Sequence, residues 1–423
     1  MVYSRAKVVE IFRGSKIYQV FIDRFAGCLD EEQYSIRNIK RDFLGGNITD
    51  LIKKIDYIKS MDYTVIWLTP FYVNQPHGNH GYHVINYNHV DPRFAFGNLD
   101  RSEGEKNNQR DGKKEIRKKR EDIGNPFDDN DVNVETEADK VLKTFIQECH
   151  KKGIKVMMDF VPNHCHEQHP FFQKAKEDPQ SEYREWFYFN GGEGPTQTYL
   201  QFLHVGELPK LNLSHSAVHD HLVNSTKKFL SYGIDAVRVD HCIGPRQKDL
   251  ASIINEIHES YPDVPFIGEI LPFGCQHAPE TIFGLENEDL QKFKEETVSA
   301  IDQLDDIFLK YYDILDGVLD FTFQYYVDKF VSGTFSKEKC TEKLIQHFNR
   351  YKEDDKKEFL LLKNVDSHDC DRIMFRCHNN IHILHQALIF LYQDDGERND
   401  PIVVYYGTED LMSQDDTIRR GDY

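Results

Sequence analysis

Three acidic residues stand where apolar stretches of the sequence end, and residues of this type could together cleave a glycosidic bond. Asp240 closes one such stretch, Glu269 closes the next, and Asp369 follows a later one. Arg238 precedes Asp240 by two residues and therefore lies on the same face of an extended strand. Carboxylates that converge on one site raise one another's pKa, so such a group is unfavourable unless it is used. Glycosidic bond cleavage uses two of them, one as nucleophile and one as proton donor.

Polar and aromatic residues follow other apolar stretches in the same way. Tyr82 follows the second stretch, Asn163 and His164 follow the third, and His368 directly precedes Asp369. A single carboxylate at a strand end is usually a cap or one half of an ion pair. Three of them, accompanied by an arginine and two histidines, favour an active site over that structural role.

The elements that must position these residues alternate between short apolar strands and longer helical patterns. Near-continuous apolar strands between helices indicate parallel strands that are covered on both faces. Eight such strands predict a (β/α)8 TIM barrel, in which functional residues gather at the carboxyl ends of the strands. An open doubly wound sheet is the alternative. The predicted strands are 16–22, 64–70, 154–160, 234–240, 265–270, 316–323, 358–366 and 401–406.

Three segments interrupt this alternation, each after the end of a strand: residues 71–136, 164–214 and 271–287. Residues 98–135 are mostly charged or polar, which predicts a mobile loop. Its basic run is flanked by acidic residues and so does not predict a nucleic-acid site. Residues 164–214 carry several aromatic side chains and separate the third strand from its helix. The predicted organisation is therefore barrel 1–163, insertion 164–214 and barrel 215–423.

The composition indicates a globular protein whose partner is neither nucleic acid nor membrane. The 423 residues carry 52 Lys and Arg against 71 Asp and Glu, a net charge of −19, which disfavours both of those polyanionic partners. No apolar stretch approaches the length of a membrane span, and residues 1–13 lack the apolar core of a signal peptide. The eight cysteines form no CxxC pair. We therefore expect a cytoplasmic protein with reduced thiols.

Four segments resemble, in order, the signature regions of the α-amylase family of glycoside hydrolases, glycoside hydrolase family 13. They are DFVPNH (159–164), GIDAVRVDH (233–241), FIGEI (266–270) and NVDSHD (364–369). The segment LPKLN (208–212) is similar to the MPKLN of the cyclomaltodextrinase and neopullulanase group, which is therefore the nearest match. The resemblance implies a TIM barrel in which the insertion 164–214 is the family's domain B.

The resemblance also implies a catalytic role for each acidic residue. Asp240 would be the nucleophile, Glu269 the general acid and base, and Asp369 a third carboxylate that grips the sugar ring. Arg238 would orient Asp240 and keep it ionised. The implied function is a retaining hydrolase of α-1,4-glucosidic bonds in maltooligosaccharides, cyclodextrins or starch-like α-glucans. Two alternatives stay open, a transglycosylase that uses the same covalent intermediate and a non-catalytic relative that only binds glucan.

The remaining residues would bind the substrate. By the resemblance, Tyr82 would stack on the sugar ring, while His164 and His368 would bind its hydroxyl groups. No cofactor is required. A calcium ion stays open, because Asn163 matches one of the family's calcium contacts while another contact is missing. The sequence allows a homo-oligomer without predicting one.

The sequence after the eighth predicted strand shows no pattern for an eighth helix or for the family's C-terminal β-domain. The outer faces of strands eight and one would then be bare. We expect residues 1–14, which carry Val8, Val9 and Phe12, or a second subunit to cover them.

Overall fold

A computed structural model describes residues 3–28, 43–97, 131–190, 198–353, 356–393 and 398–413. Most of the predicted mobile loop 98–135, including its basic run, lies outside these residues. Within the part of the chain that is described, no helix is both long enough and apolar enough to cross a membrane.

The predicted (β/α)8 barrel is confirmed, because eight parallel strands close into a ring. Closure excludes the open doubly wound sheet, since the first and last strands pair with Lys16 level with Ile402 and Gln19 level with Tyr405. The strands are β1 (Lys16–Val20), β2 (Val65–Leu68), β3 (Tyr72–Asn74), β4 (Val84–Val90), β5 (Lys155–Phe160), β6 (Ala236–Val239), β7 (Phe266–Gly268), β8 (Gly317–Asp320), β9 (Leu360–Asn364) and β10 (Ile402–Tyr405). Strands β3 and β4 form a separate antiparallel pair, and the other eight form the barrel.

Helices lie between the strands, and local sequence sets where several of them begin. Before the helix Glu137–Lys151, the Thr136 side chain accepts from the Asp139 N–H and the Asp139 carboxylate accepts from the Thr136 N–H, a capping box. The α-helices are Arg5–Phe12, Ile22–Phe25, Ile48–Ile52, Ile55–Ser60, Pro92–Phe96, Glu137–Lys151, Pro170–Glu177, Ser216–Leu230, Gln247–Ser260, Asn287–Lys292, Val298–Ile301, Leu304–Leu309, Phe321–Val331, Lys337–Asn349, Ile373–Arg376 and Ile381–Tyr392. The 3₁₀ helices are Arg184–Trp186, Phe202–His204, Cys275–His277, Pro279–Thr281 and Lys356–Glu358.

The barrel interior changes from apolar to polar along the strands. Met157 on β5 and Ala236 on β6 belong to an apolar cluster inside the barrel. Two residues further along the same strands, on the same face, are the buried Asp159 and Arg238. The apolar layer therefore fills the lower barrel, and charged side chains occupy the end where active sites of this fold lie.

The insertion 164–214 is tied to the upper end of β5 by short antiparallel bridges. His164 pairs with Lys210, and Phe187 pairs with Leu211. Aromatic rings pack its interior, with Phe171 stacked on Tyr183 at a centroid distance of 4.2 Å. The insertion therefore lies against the same edge of the barrel as the candidate site. Its limits as a separate domain stay a prediction.

The prediction for residues 1–14 is wrong about where they pack. The helix Arg5–Phe12 places Val9 and Phe12 in the apolar cluster inside the barrel, against residues of the lower strand ends. Tyr3 Oη donates to Asp316 Oδ1, 2.5 Å away and just before β8. This helix therefore closes the lower barrel mouth, where its apolar side chains are removed from water against the apolar layer. Ile402 and Val404 on β10 are buried in a different apolar cluster, which contains no residue of this helix.

A buried histidine between two carboxylates links the helix Lys337–Asn349 to the end of β8. His347 Nδ1 lies 3.0 Å from Asp305 Oδ2, and His347 Nε2 lies 2.8 Å from Asp320 Oδ2. Burial alone would lower the pKa of His347, but the two carboxylates outweigh burial and raise it to about 10. A charged imidazolium therefore holds this side of the barrel together at neutral pH.

Replacing this histidine tests its charge. We expect His347→Gln to lower the free energy of unfolding by about 3 kcal/mol at pH 7, because two buried carboxylates lose their cation. Since the folded pKa is raised, the contribution of His347 is complete below its unfolded pKa and is lost as the pH rises through about 10. Urea unfolding at pH 7 and pH 10.5 measures this, with the exposed His385→Gln as the matched control. An equal deficit at both pH values would contradict the charged histidine.

Candidate active site

Arg238 stands at the centre of the predicted site and contacts two of its predicted catalytic carboxylates. Its Nη1 donates to Asp240 Oδ1 at 2.9 Å and to Asp159 Oδ1 at 2.7 Å. Its Nη2 lies 2.7 Å from Glu269 Oε1. The guanidinium is buried, while the Asp240 and Glu269 side chains are 10% and 13% exposed. One cation therefore holds three acidic side chains in a fixed arrangement: Asp159 on β5, Asp240 at the end of β6 and Glu269 at the end of β7.

Tyr82 joins this group to the third predicted carboxylate. Its hydroxyl donates to Asp159 Oδ2 at 2.8 Å and lies 2.7 Å from His368 Nε2. The rings of Tyr82 and His368 are stacked 5.3 Å apart. His368 Nε2 also lies 3.0 Å from Asp369 Oδ2, and the Asp369 side chain is 20% exposed. The structure therefore brings all three predicted carboxylates, Tyr82 and His368 into one connected network.

The partners of Glu269 and His368 include two groups that the sequence patterns did not identify. The His241 N–H donates to Glu269 Oε2 at 3.0 Å, so backbone and guanidinium each hold one oxygen of that carboxylate. Gln19 Nε2 lies 2.8 Å from His368 Nδ1 and fixes that ring from inside the barrel. A polar residue on the inner face of β1 is the signal that could have revealed Gln19.

The network contains more carboxyl groups than cations, and the pKa values of two of them, Asp240 and Asp159, are raised, chiefly by burial. Burial raises the pKa of Asp240, Arg238 lowers it, and the neighbouring carboxylates raise it further. Burial likewise raises the pKa of Asp159 to about 6 against the effect of Arg238. Arg238 donates to Asp240, but burial opposes the predicted effect of Arg238 on the ionisation of Asp240. The predicted role of Arg238 in orienting Asp240 stays a prediction.

The calcium contact predicted at Asn163 does not fit the structure. Asn163 Oδ1 accepts a hydrogen bond from Lys210 Nζ at 2.5 Å, and the same ammonium donates to the Gly244 carbonyl at 2.9 Å. Lys210 is buried, which lowers its pKa to about 7. The Asn163 oxygen that would face a calcium ion is thus bonded to a side chain of the protein itself. Lys210 lies in the LPKLN segment. The residues next to it in the sequence are uncharged and do not predict its contact with Asn163.

His164 follows Asn163 directly, and both side chains are buried. Its Nδ1 is 3.3 Å from Asn163 Nδ2, and its ring centroid is 4.8 Å from that of Phe202. Burial lowers its pKa to about 3, so the ring is neutral. The predicted role of His164 in binding a sugar hydroxyl stays a prediction.

A second group, of two histidines and a glutamate, has the composition of a metal site, but its hydrogen bonds do not suit a metal ion. Ligand atoms of His83, His166 and Glu207 lie within 4.8 Å of one another. Gln75 Nε2 lies 3.1 Å from His83 Nδ1, and the Gln168 N–H donates to His166 Nδ1 at the same distance. These bonds leave the hydrogen of each neutral ring on Nε2, the atom that faces Glu207. The two rings therefore present N–H donors rather than lone pairs to Glu207.

The fold and the site define a class, a TIM barrel with acidic residues at its strand ends held by a buried arginine. The family model described as "Alpha amylase, catalytic domain" matches residues 19–104 and 131–421. The chain therefore belongs to the α-amylase family, as the signature regions predicted.

Individual relatives agree with this assignment. The chain is 23% identical over 403 residues to an intracellular maltogenic amylase of Bacillus subtilis, covering 93% of this chain and 54% of the relative. It is 29% identical over 271 residues to a cyclomaltodextrinase of Geobacillus thermopakistaniensis, covering 61% of this chain and 38% of the relative. A solved structure named cyclomaltodextrinase has the same fold, with a TM-score of 0.69, 19% identity, and coverage of 98% of this chain and 58% of that one. The chain thus spans about half the length of these curated relatives, or less.

The Lys210 contacts predict that stability does not depend on calcium. We expect an excess of EDTA to leave the melting temperature unchanged, because the Lys210 ammonium already bonds the oxygens of Asn163 and Gly244. Lys210→Met should lower the free energy of unfolding by about 2 kcal/mol, since both oxygens lose their donor. Thermal and urea unfolding measure the two effects, and the half-exposed Lys292→Met is the matched control. A fall in melting temperature with EDTA that calcium reverses would contradict this assignment.

Proposed function

We propose that the protein is a retaining glycosidase that cleaves α-1,4-glucosidic bonds in maltooligosaccharides and cyclodextrins. The observation that carries the proposal is the contact of Asp240 and Glu269 with the two Nη atoms of Arg238. Two carboxyl groups on one guanidinium lie close together, and a spacing of about 5 Å is typical of retaining enzymes, whereas inverting enzymes leave room for a water molecule. The relatives named maltogenic amylase and cyclomaltodextrinase support the substrate class.

In the first step, an Asp240 oxygen attacks the anomeric carbon and the bond to the leaving oxygen breaks. Glu269 gives its proton to that oxygen, so the shortened glucan departs as a neutral alcohol and a glycosyl–Asp240 ester remains. Asp240 itself reacts as the ionised form, which Arg238 favours by its contact with Oδ1.

In the second step, Glu269 takes a proton from water, and the resulting hydroxide oxygen attacks the anomeric carbon. Asp240 leaves as a carboxylate, and the sugar is released with the configuration that it had in the substrate. Asp369 and His368 would hold the hydroxyl groups of the reacting sugar. Tyr82 would pack on its ring beside them.

Transfer to a sugar hydroxyl is the second candidate reaction, because the same ester can react with either acceptor. Product analysis on maltotriose separates the two, since longer oligosaccharides indicate transfer while glucose and maltose alone indicate hydrolysis.

A glucan-binding protein without catalysis would be stabilised by acarbose and would release no sugar from maltooligosaccharides or cyclodextrins. The oligomeric state stays open. The name of the maltogenic amylase relative supports an intracellular location, which we also propose.

The nucleophile assignment is tested by Asp240→Asn. We expect kcat on maltotetraose to fall by about a thousandfold or more, because the amide cannot form the ester. The unfolding transition should remain cooperative, and the exposed Asp313→Asn serves as the matched control. Proton NMR of the wild-type reaction should show the α-anomer as the first product. Near-normal hydrolysis by the variant, or a β-anomer from the wild type, would overturn the proposal.

A further inference from the structure

A hairpin of the insertion, residues 201–209, lies beside the candidate active site and has no role in the mechanism above. Gln201 and Pro209 form its base as an antiparallel bridge, and the Phe202 N–H donates to the Leu208 carbonyl at 2.9 Å. The base is attached to the barrel because the Cys165 N–H donates to the Pro209 carbonyl at 3.2 Å. The segment after β5 thus fixes the hairpin next to His164.

The Phe202 ring contacts two histidines that border the catalytic carboxylates. Its centroid lies 4.8 Å from that of His164 and 4.7 Å from that of His241. His241 follows Asp240 directly, and its N–H holds Glu269 Oε2 at 3.0 Å. Phe202 is partly exposed rather than buried. An apolar ring is therefore presented to solvent on the side of the site where Glu269 lies.

The tip of the hairpin is strained and reaches across to the loop after β7. Leu203 and His204 adopt positive φ angles of 44° and 64°, which non-glycine residues rarely do. His204 Nε2 lies 3.1 Å from the His277 carbonyl and 3.4 Å from Glu280 Oε1. Such strain persists where surrounding contacts enforce it, and it clusters at functional sites. Here those contacts hold Phe202 between the insertion and the strand end that carries Glu269.

We propose that Phe202 forms the wall against which the leaving-group sugar packs, an inference that rests on the proposed function. The proton donor Glu269 must face the oxygen that leaves with this sugar, so the sugar lies on the Glu269 side of the scissile bond. Pyranose rings present an apolar C–H face, and a partly exposed aromatic ring binds such a face while its edges stay hydrated. Phe202 would therefore act on the binding of the leaving glucan and not on the sugar that becomes attached to Asp240.

Two substrates that differ only in the leaving group test this assignment. Maltotetraose loses a sugar chain, whereas α-maltosyl fluoride loses fluoride, which needs no sugar subsite and no proton donor. We expect Phe202→Ala to lower the ratio of kcat/KM for maltotetraose to kcat/KM for α-maltosyl fluoride by about tenfold. Phe202→Tyr retains the ring and should keep the ratio close to that of the wild type.

Several outcomes would overturn the inference. An equal loss of kcat/KM on both substrates would place Phe202 on the side of the attached sugar or give it a purely structural role. Unchanged kcat/KM values on both substrates would leave it with no role. Phe96→Ala, at a half-exposed ring on another element, is the control for removing a phenylalanine. A thermal melt checks that each variant is folded. Failure of the proposed function itself is distinct, because the wild type would then release fluoride from α-maltosyl fluoride no faster than buffer does.

Discussion

One buried guanidinium, that of Arg238, is the interaction on which the site depends. Burying a charge is unfavourable unless it is paired, and Arg238 pairs with Asp159, Asp240 and Glu269 at once. Those three residues come from β5, the end of β6 and the end of β7. The closed barrel brings these neighbouring strands into register, so its geometry and the charge pairing require each other. Tyr82 extends the network through its bond to Asp159.

Below this charged layer, the barrel interior is apolar. Beneath Arg238, Ala236 and Met157 belong to an apolar layer, which the helix Arg5–Phe12 closes from below. On the flank, His347 neutralises the carboxylates of Asp305 and Asp320 in the same way as Arg238 does for the site. Arg238 and His347 are thus each shared by buried carboxylates from different elements. Lys210 extends this pattern to the insertion, where its ammonium joins the segment after β5 to the loop after β6.

The sequence predicts features that depend on local patterns, and it does not predict contacts between residues far apart in the chain. All eight barrel strands and the residues at their ends were predictable, because alternation and apolar runs are local patterns and the signature regions are contiguous. Helix Arg5–Phe12 was misplaced because an apolar stripe fits either the outer strand faces or the lower mouth. The contact of Lys210 with Asn163 and the position of Phe202 near His241 arise from the folding of the insertion. They join residues tens of positions apart, and no local pattern encodes them.

Trapping the covalent intermediate tests most directly whether this charge network makes Asp240 the nucleophile. An α-maltosyl fluoride that carries a second fluorine on the reacting ring should form the glycosyl ester and hydrolyse slowly, because the added fluorine disfavours positive charge at the anomeric carbon. Mass spectrometry of the digested protein should then show the fluorosugar on the peptide that contains Asp240. A label on the peptide of Glu269 or Asp369, or turnover of the unmodified substrate with no trapped ester, would contradict the account.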